Sequence, residues 1–101
     1  MAILVQYRVK ADRAAENEAL IGRVFEALQR EAPPGIRYAS FRAADGVSFT
    51  HLAVVETDDG QSPLIALDAF QRFVGTIRER CESPPTTTEL QTVGAYRFFG
   101  A

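Results

Sequence analysis

Asp45-Gly46 constrains this chain more than any other feature. The pair stands between residues 36–44 (IRYASFRAA) and residues 47–56 (VSFTHLAVVE), two runs rich in aromatic, β-branched and small side chains. An Asp-Gly pair between such runs is a strong short-range signal for a β-hairpin. A two-residue turn sets the register, so that Ala44 faces Val47, Arg42 faces Phe49, Ser40 faces His51 and Tyr38 faces Ala53. The second run also carries the one histidine of the chain, His51, at the middle of its clearest strand.

A strand and a helix flank the hairpin on each side. Residues 2–10 alternate, with Ile3, Val5, Tyr7 and Val9 on one side and Leu4, Gln6, Arg8 and Lys10 on the other. Asp12 reads as a helix cap, and Leu20, Ile21, Val24, Phe25 and Leu28 then recur at the spacing of an apolar helix stripe. Pro33-Pro34-Gly35 ends that helix, because proline lacks an N–H and disfavours helical backbone just before itself. Ser62-Pro63 opens a second helical segment, with Asp68 as a further cap if the segment breaks in two. Leu67, Phe70, Phe73, Val74, Ile77 and Cys81 share its stripe, Gly75 allows close helix packing, and Glu79, Arg80 and Glu82 read as a solvated end. Pro84-Pro85 stops the helix, and residues 89–100 read as a last long strand containing the aromatic run Tyr96-Arg97-Phe98-Phe99.

The order β-α-β-β-α-β is the ferredoxin-like arrangement, an α+β fold with a four-stranded antiparallel sheet and both helices on one face. Right-handed crossovers put the strands in the order 4-1-3-2, which makes the His51 strand central. The other sheet face is left open. In a chain with 47% hydrophobic residues that face needs a cover, and a second copy is the economical one, giving a homodimeric α+β barrel.

Composition excludes several function classes. The chain, 101 residues read as one domain over 1–101, has 11 basic and 13 acidic residues with no basic block, so neither nucleic acid nor a membrane surface is an expected partner. The apolar run after Met1 is too short for a signal peptide or a spanning helix, and a single cysteine makes no internal disulfide; both point to the cytoplasm. Cys81 itself reads as a small buried hydrophobe. One histidine without a partner at ligand spacing, and glycines scattered without a phosphate loop, leave no metal and no cofactor expected.

The element order, the strand ending YRVKAD, the helix ENEALIGRVFEAL, the hairpin RYASFRAADGVSFTHLAVVE and the final VGAYRFFG resemble the antibiotic-biosynthesis-monooxygenase-like group of dimeric α+β barrels. The resemblance covers nearly the whole chain and is one of pattern. It implies a homodimer with a small-molecule cavity, either between the sheet and its helices or inside the barrel. Relatives include cofactor-independent oxygenases of polyketide quinone precursors and haem-degrading enzymes. The oxygenase patterns place asparagine and tryptophan in the pocket; this chain has no tryptophan, and its one asparagine, Asn17, falls in the first turns of helix one, where it reads as solvated or capping.

Sorting side chains by face yields a candidate site. With Ala39, Phe41, Thr50, Leu52 and Val54 packed under the helices, the set Gln6, Arg8, Tyr38, Ser40, Arg42, Phe49 and His51 lines the barrel interior or its mouth. Aromatic surface with a few convergent polar groups suits an orienting pocket for a small molecule. His51, with an ordinary pKa near neutrality, is the candidate base, and the arginines are candidate partners for a carboxylate or enolate. Two functions follow: a binding or accessory protein for an aromatic or enolisable molecule, or a cofactor-independent monooxygenase or proton-transfer isomerase. A structural His51 bonded to a neighbour such as Ser40 is the alternative to both, and a bulge after Gly46 would move the set to the other face.

Overall fold

The structure, a computed structural model, describes residues 1–98. Its elements are β1 (Ala2–Arg8), α1 (Ala14–Glu31), β2 (Ile36–Arg42), β3 (Ser48–Val55), α2 (Asp68–Gly75), α3 (Ile77–Arg80) and β4 (Thr86–Leu90), with 3-10 turns at Ala11–Arg13 and Pro63–Ala66. The strands form one sheet in the order β2-β3-β1-β4, every neighbouring pair antiparallel. This is the ferredoxin-like α+β arrangement and strand order expected from the sequence.

The hairpin keeps its expected register, with Arg42 opposite Phe49, Ser40 opposite His51 and Tyr38 opposite Ala53. Its turn is wider than two residues. Ala43 still donates its N–H to the Ser48 carbonyl, and Gly46, at φ 78°, donates back to Ala43, so Ala44 and Val47 belong to the loop. The Asp45 carboxylate holds this loop by accepting from the Val47 and Ser48 N–H groups and the Ser48 hydroxyl. These bonds favour its charged form and lower its pKa to about 2. The side-chain cap thus preserves the pairing that a tighter turn was expected to impose.

Asp12 lies within the 3-10 turn and does not cap α1, whose N-cap position is held by Arg13 without a side-chain bond. The helix ends at Ala32, which adopts the left-handed conformation (φ 43°) and donates its N–H to the Leu28 carbonyl. The core under both helices joins Tyr7, Val9, Ile21, Val24, Phe49, Leu64, Leu67, Phe73 and Ile77.

Directly opposed residues of an antiparallel pair project to the same side of the sheet. Val5 opposes His51 and Tyr7 opposes Phe49, so the apolar side of β1 and the His51 side of the hairpin share the helix-covered face. Gln6 opposes Thr50, Arg8 opposes Ser48 and Leu4 opposes Leu52, all on the open face. Two expectations are corrected by this. Ala39, Phe41, Thr50, Leu52 and Val54 do not pack under the helices, and Gln6 and Arg8 do not join His51. The hairpin register relates β2 to β3 but leaves open which face meets the helices; only the β1–β3 pairing, a contact across more than 40 residues, decides it.

The C-terminal half departs further from expectation. The second helical segment breaks at Thr76, and Cys81 lies beyond α3 in extended backbone, bridged to Val9. Gly75 ends α2 at an exposed position, and a methyl added there would touch nothing within 4 Å, so it serves no close packing. The last strand is Thr86–Leu90, earlier than residues 89–100, because three consecutive β-branched threonines directly after Pro85 suit an edge strand. Tyr96, Arg97 and Phe98 lie outside any strand, and Phe99 falls outside the described residues. Among the described residues no helix is long and apolar enough to cross a membrane.

Candidate functional site

His51 is buried at 3% exposure on β3, and both ring nitrogens are engaged. Nε2 lies 2.6 Å from the Tyr7 hydroxyl. Nδ1 lies 2.6 Å from Ser40 Oγ and 2.9 Å from the Tyr38 hydroxyl. The Tyr7 and Tyr38 rings lie nearly parallel to the imidazole, with ring centroids 5.3 and 5.8 Å away, and Phe73 of α2 packs against it at 5.4 Å. Burial disfavours the imidazolium and lowers the His51 pKa to about 4, so the ring is neutral at neutral pH. The same cause raises the Tyr38 hydroxyl to about 12 and pushes Tyr7 above its ordinary value.

Behind His51 the polar groups continue inward. Asn17 of α1 donates its Nδ2–H to the Tyr7 hydroxyl at 2.9 Å, and Arg80 of α3 donates its Nε–H to Asn17 Oδ1 at 2.9 Å. Arg80 also donates to Thr76 Oγ1 and to the Phe73 carbonyl, and its guanidinium lies over the Phe73 ring. Both Asn17 and Arg80 have 0% exposure. Among the described residues no carboxylate forms an ion pair with Arg80. Its charge is instead spread over neutral acceptors and one ring face, as a buried cation without a direct ion pair requires.

In front of His51 is space. A cavity of about 310 Å³ lies between the sheet and α2, with Tyr38 and His51 supplying polar groups on a wall otherwise built mainly from apolar side chains such as Ile3, Val5, Phe70, Phe73 and Val74. A concave apolar volume of this size with a few convergent polar groups is the usual form of a small-molecule site.

The sequence-expected residues divide accordingly. Tyr38, Ser40 and His51 come together, though under the helices and not on the open face. Phe49 shares their face but is packed behind them, stacked on Tyr7 with ring centroids 5.7 Å apart. Arg42 sits farther along the same face, its guanidinium over Phe49 and paired to Glu18 at 3.2 Å, away from the cavity lining. Gln6 and Arg8 are exposed on the opposite face, where Arg8 pairs with Glu82. Asn17 and Arg80 are the residues that sequence reasoning missed, read there as a solvated or capping amide and a solvated helix end. Each had a signal: Asn17 falls one turn before Ile21 and two before Val24 on the α1 stripe, and Arg80 continues the spacing of Phe73 and Ile77. A polar side chain at an apolar-stripe position marks a buried polar group.

No family model matches the sequence, and no curated protein matches it. Solved structures do match. An antibiotic biosynthesis monooxygenase aligns with a TM-score of 0.75 at 17% identity, over 92% of this chain and 98% of the other. Rv0793 from Mycobacterium tuberculosis aligns at 0.75 and 16%, over 93% and 95%. A protein of unknown function from Nitrosomonas europaea, NE2512, aligns at 0.74 and 12%, over 94% and 90%. At such identities the likeness is one of fold, and the chain therefore has the ferredoxin-like fold of the antibiotic-biosynthesis-monooxygenase-like structures, along nearly its full length.

Proposed function

We propose that this chain binds a small, largely apolar aromatic or enolisable molecule in the cavity in front of His51, as a binding or accessory protein of the antibiotic-biosynthesis-monooxygenase-like group. The observation that carries this reading is the 310 Å³ of apolar space closed on one side by His51 and Tyr38. On this reading Tyr38 and His51 touch the ligand, and Ser40 acts by bonding His51. Ala53 also lines the cavity, so Ala53→Leu fills it without disturbing the polar wall. Titration of one- and two-ring aromatic compounds, followed by NMR, is expected to show saturable shifts in the wild type and affinity weakened at least about tenfold in Ala53→Leu. No binding across the panel, or binding unchanged by the substitution, would overturn the assignment.

A second reading is a cofactor-independent monooxygenase or proton-transfer isomerase with His51 as base. It rests on the position of the imidazole, which borders the cavity and which burial keeps neutral. Activity limited by His51 would then rise near pH 4 and stay flat through neutrality. A profile rising near the ordinary histidine pKa would exclude His51 as the base.

The homodimer belongs to the same proposal. The open face presents Leu4, Ala39, Leu52 and Val54, all half-buried, beside Phe41 at 53% exposure, and a second copy is the cover argued from the sequence. A reducing, cytoplasmic location is supported by the single buried thiol, Cys81.

A further inference from the structure

The hydrogen bonds behind His51 have a direction, and it can be followed atom by atom. A guanidinium only donates, so the atom of Asn17 that meets Arg80 Nε is the amide oxygen, and the amide nitrogen faces Tyr7. That nitrogen donates to the Tyr7 oxygen. The Tyr7 hydroxyl has one other partner, His51 Nε2, and a buried O–H left without an acceptor is costly, so Nε2 receives its proton. An Nε2 that accepts leaves the proton of a neutral imidazole on Nδ1.

The consequence reaches the cavity. Nδ1–H faces the oxygens of Ser40 and Tyr38, which lie 2.6 and 2.9 Å from it. With Nδ1 protonated, neither hydroxyl can donate to the imidazole, and both protons are left to other acceptors. With Nδ1 unprotonated, its lone pair would take one of them. Tyr38 lines the cavity, so the hydroxyl proton that the imidazole cannot accept stands at its wall.

We propose that Arg80 and Asn17 are positioning residues that lock His51 as its Nδ1–H tautomer, and thereby select ligands bearing a hydrogen-bond acceptor, such as a carbonyl oxygen, on an apolar body. The selection of ligands rests on the reading that the cavity binds a small molecule; the lock itself does not. His51 acts here through its proton on Nδ1 and not as a base.

The tautomer can be read directly, because His51 is the one imidazole in the sequence and its signals need no assignment. Long-range ¹H–¹⁵N correlation spectra of the tag-free, ¹⁵N-labelled chain at neutral pH are expected to show a protonated Nδ1 and an unprotonated Nε2. An Nε2–H tautomer, an exchanging mixture or an imidazolium in the wild type would overturn the lock. Asn17→Asp replaces the donor facing Tyr7 by an acceptor, which turns the Tyr7 proton toward position 17 and inverts the tautomer to Nε2–H; a spectrum left unchanged would count against the mechanism. Tyr7→Phe, which keeps the ring and removes the relay atom, serves if Asn17→Asp does not fold: it is expected to give mixed tautomers, and a retained pure Nδ1–H form would overturn the proposal.

Ligand polarity is tested with 1-tetralone, tetralin and 1-naphthol as probes. In the wild type 1-tetralone is expected to bind about tenfold more tightly than tetralin, the scale of one added hydrogen bond. In Asn17→Asp the preference is expected to move toward 1-naphthol. Equal binding of 1-tetralone and tetralin by the wild type would overturn the selection while leaving the cavity reading intact. Failure of all three to bind would overturn the cavity reading and the selection together, and the tautomer spectra would still judge the lock.

Discussion

Arg80 donates its Nε–H to Asn17 Oδ1 across 2.9 Å, joining two fully buried side chains 63 positions apart in the sequence. The contact ties α3 to α1 beneath the sheet and orders every polar group from there to the cavity. Arg80→Met keeps much of the side-chain length but leaves Asn17 Oδ1, Thr76 Oγ1 and the Phe73 carbonyl each short of a donor. A loss of about 2–4 kcal/mol is expected from urea unfolding, because buried acceptors stripped of their partners cost more than the bonds contributed. Arg80→Lys should recover only part of it, since an ammonium does not reproduce the planar fork of donors. A loss below about 1 kcal/mol in Arg80→Met would mean that the chain of bonds does not tie the helices together.

His51 makes stability depend on pH in a predictable sense. Its folded-state pKa, about 4, lies below the ordinary value of 6.5, so on acidification the unfolded chain takes up the proton first. The slope of unfolding free energy with pH is therefore positive between 6.5 and 4, and stability falls as pH falls through that window. From about pH 7 to about pH 5 the contribution is a loss of roughly 2 kcal/mol. His51→Gln removes it, so the difference between the two proteins' stability–pH curves isolates the histidine from the carboxylates. Parallel curves for the two proteins would show that the imidazole is not held neutral by burial.

Two glycines should respond to alanine in opposite directions. Gly35 has φ 86°, and an added methyl would lie 2.5 Å from Thr57 Cγ2, so Gly35→Ala meets both an unfavourable backbone and a clash. A destabilisation of more than about 1 kcal/mol is expected. Gly22 lies exposed within α1, where an added methyl touches nothing within 4 Å. Gly22→Ala should stabilise by about 0.5–1 kcal/mol, through helix propensity alone. Thermal unfolding of both variants checks the pair, and a destabilised Gly22→Ala would place an unseen contact on that face of α1.

The open sheet face gives the fourth prediction. Leu52 stands at its centre, between Leu4 of β1 and Ala39 of β2. If a second copy covers this face, light scattering at micromolar concentration should give twice the chain mass for the wild type and a single chain mass for Leu52→Lys, with the helical circular dichroism retained. A wild type that scatters as a monomer would remove the homodimer.

Much of the fold is legible in the sequence alone. Alternation in residues 2–10, the helix stripe from Leu20 to Leu28 and the Asp45-Gly46 hairpin are local signals, and they were enough for the element order, the strand order and the pairing of Ser40 with His51. The edge strand lies earlier in the chain than Pro84-Pro85 and the aromatic tail suggest. Neither sets a strand start by itself, whereas β4 is held by its ladder to β1.

For the site, the sequence by itself determined the cluster within the hairpin: Tyr38, Ser40 and His51 had to meet, because a hairpin register relates neighbours through one short turn. Only the tertiary structure decided the rest. Whether His51 faces the helices or the open side, and whether Gln6 and Arg8 accompany it, depends on how β1 docks beside β3, since a strand with small or apolar residues on both faces can be buried on either. The roles of Asn17 and Arg80 likewise exist only once α1 and α3 close over Tyr7, where a polar side chain removed from water must find its partner wherever the fold brings one.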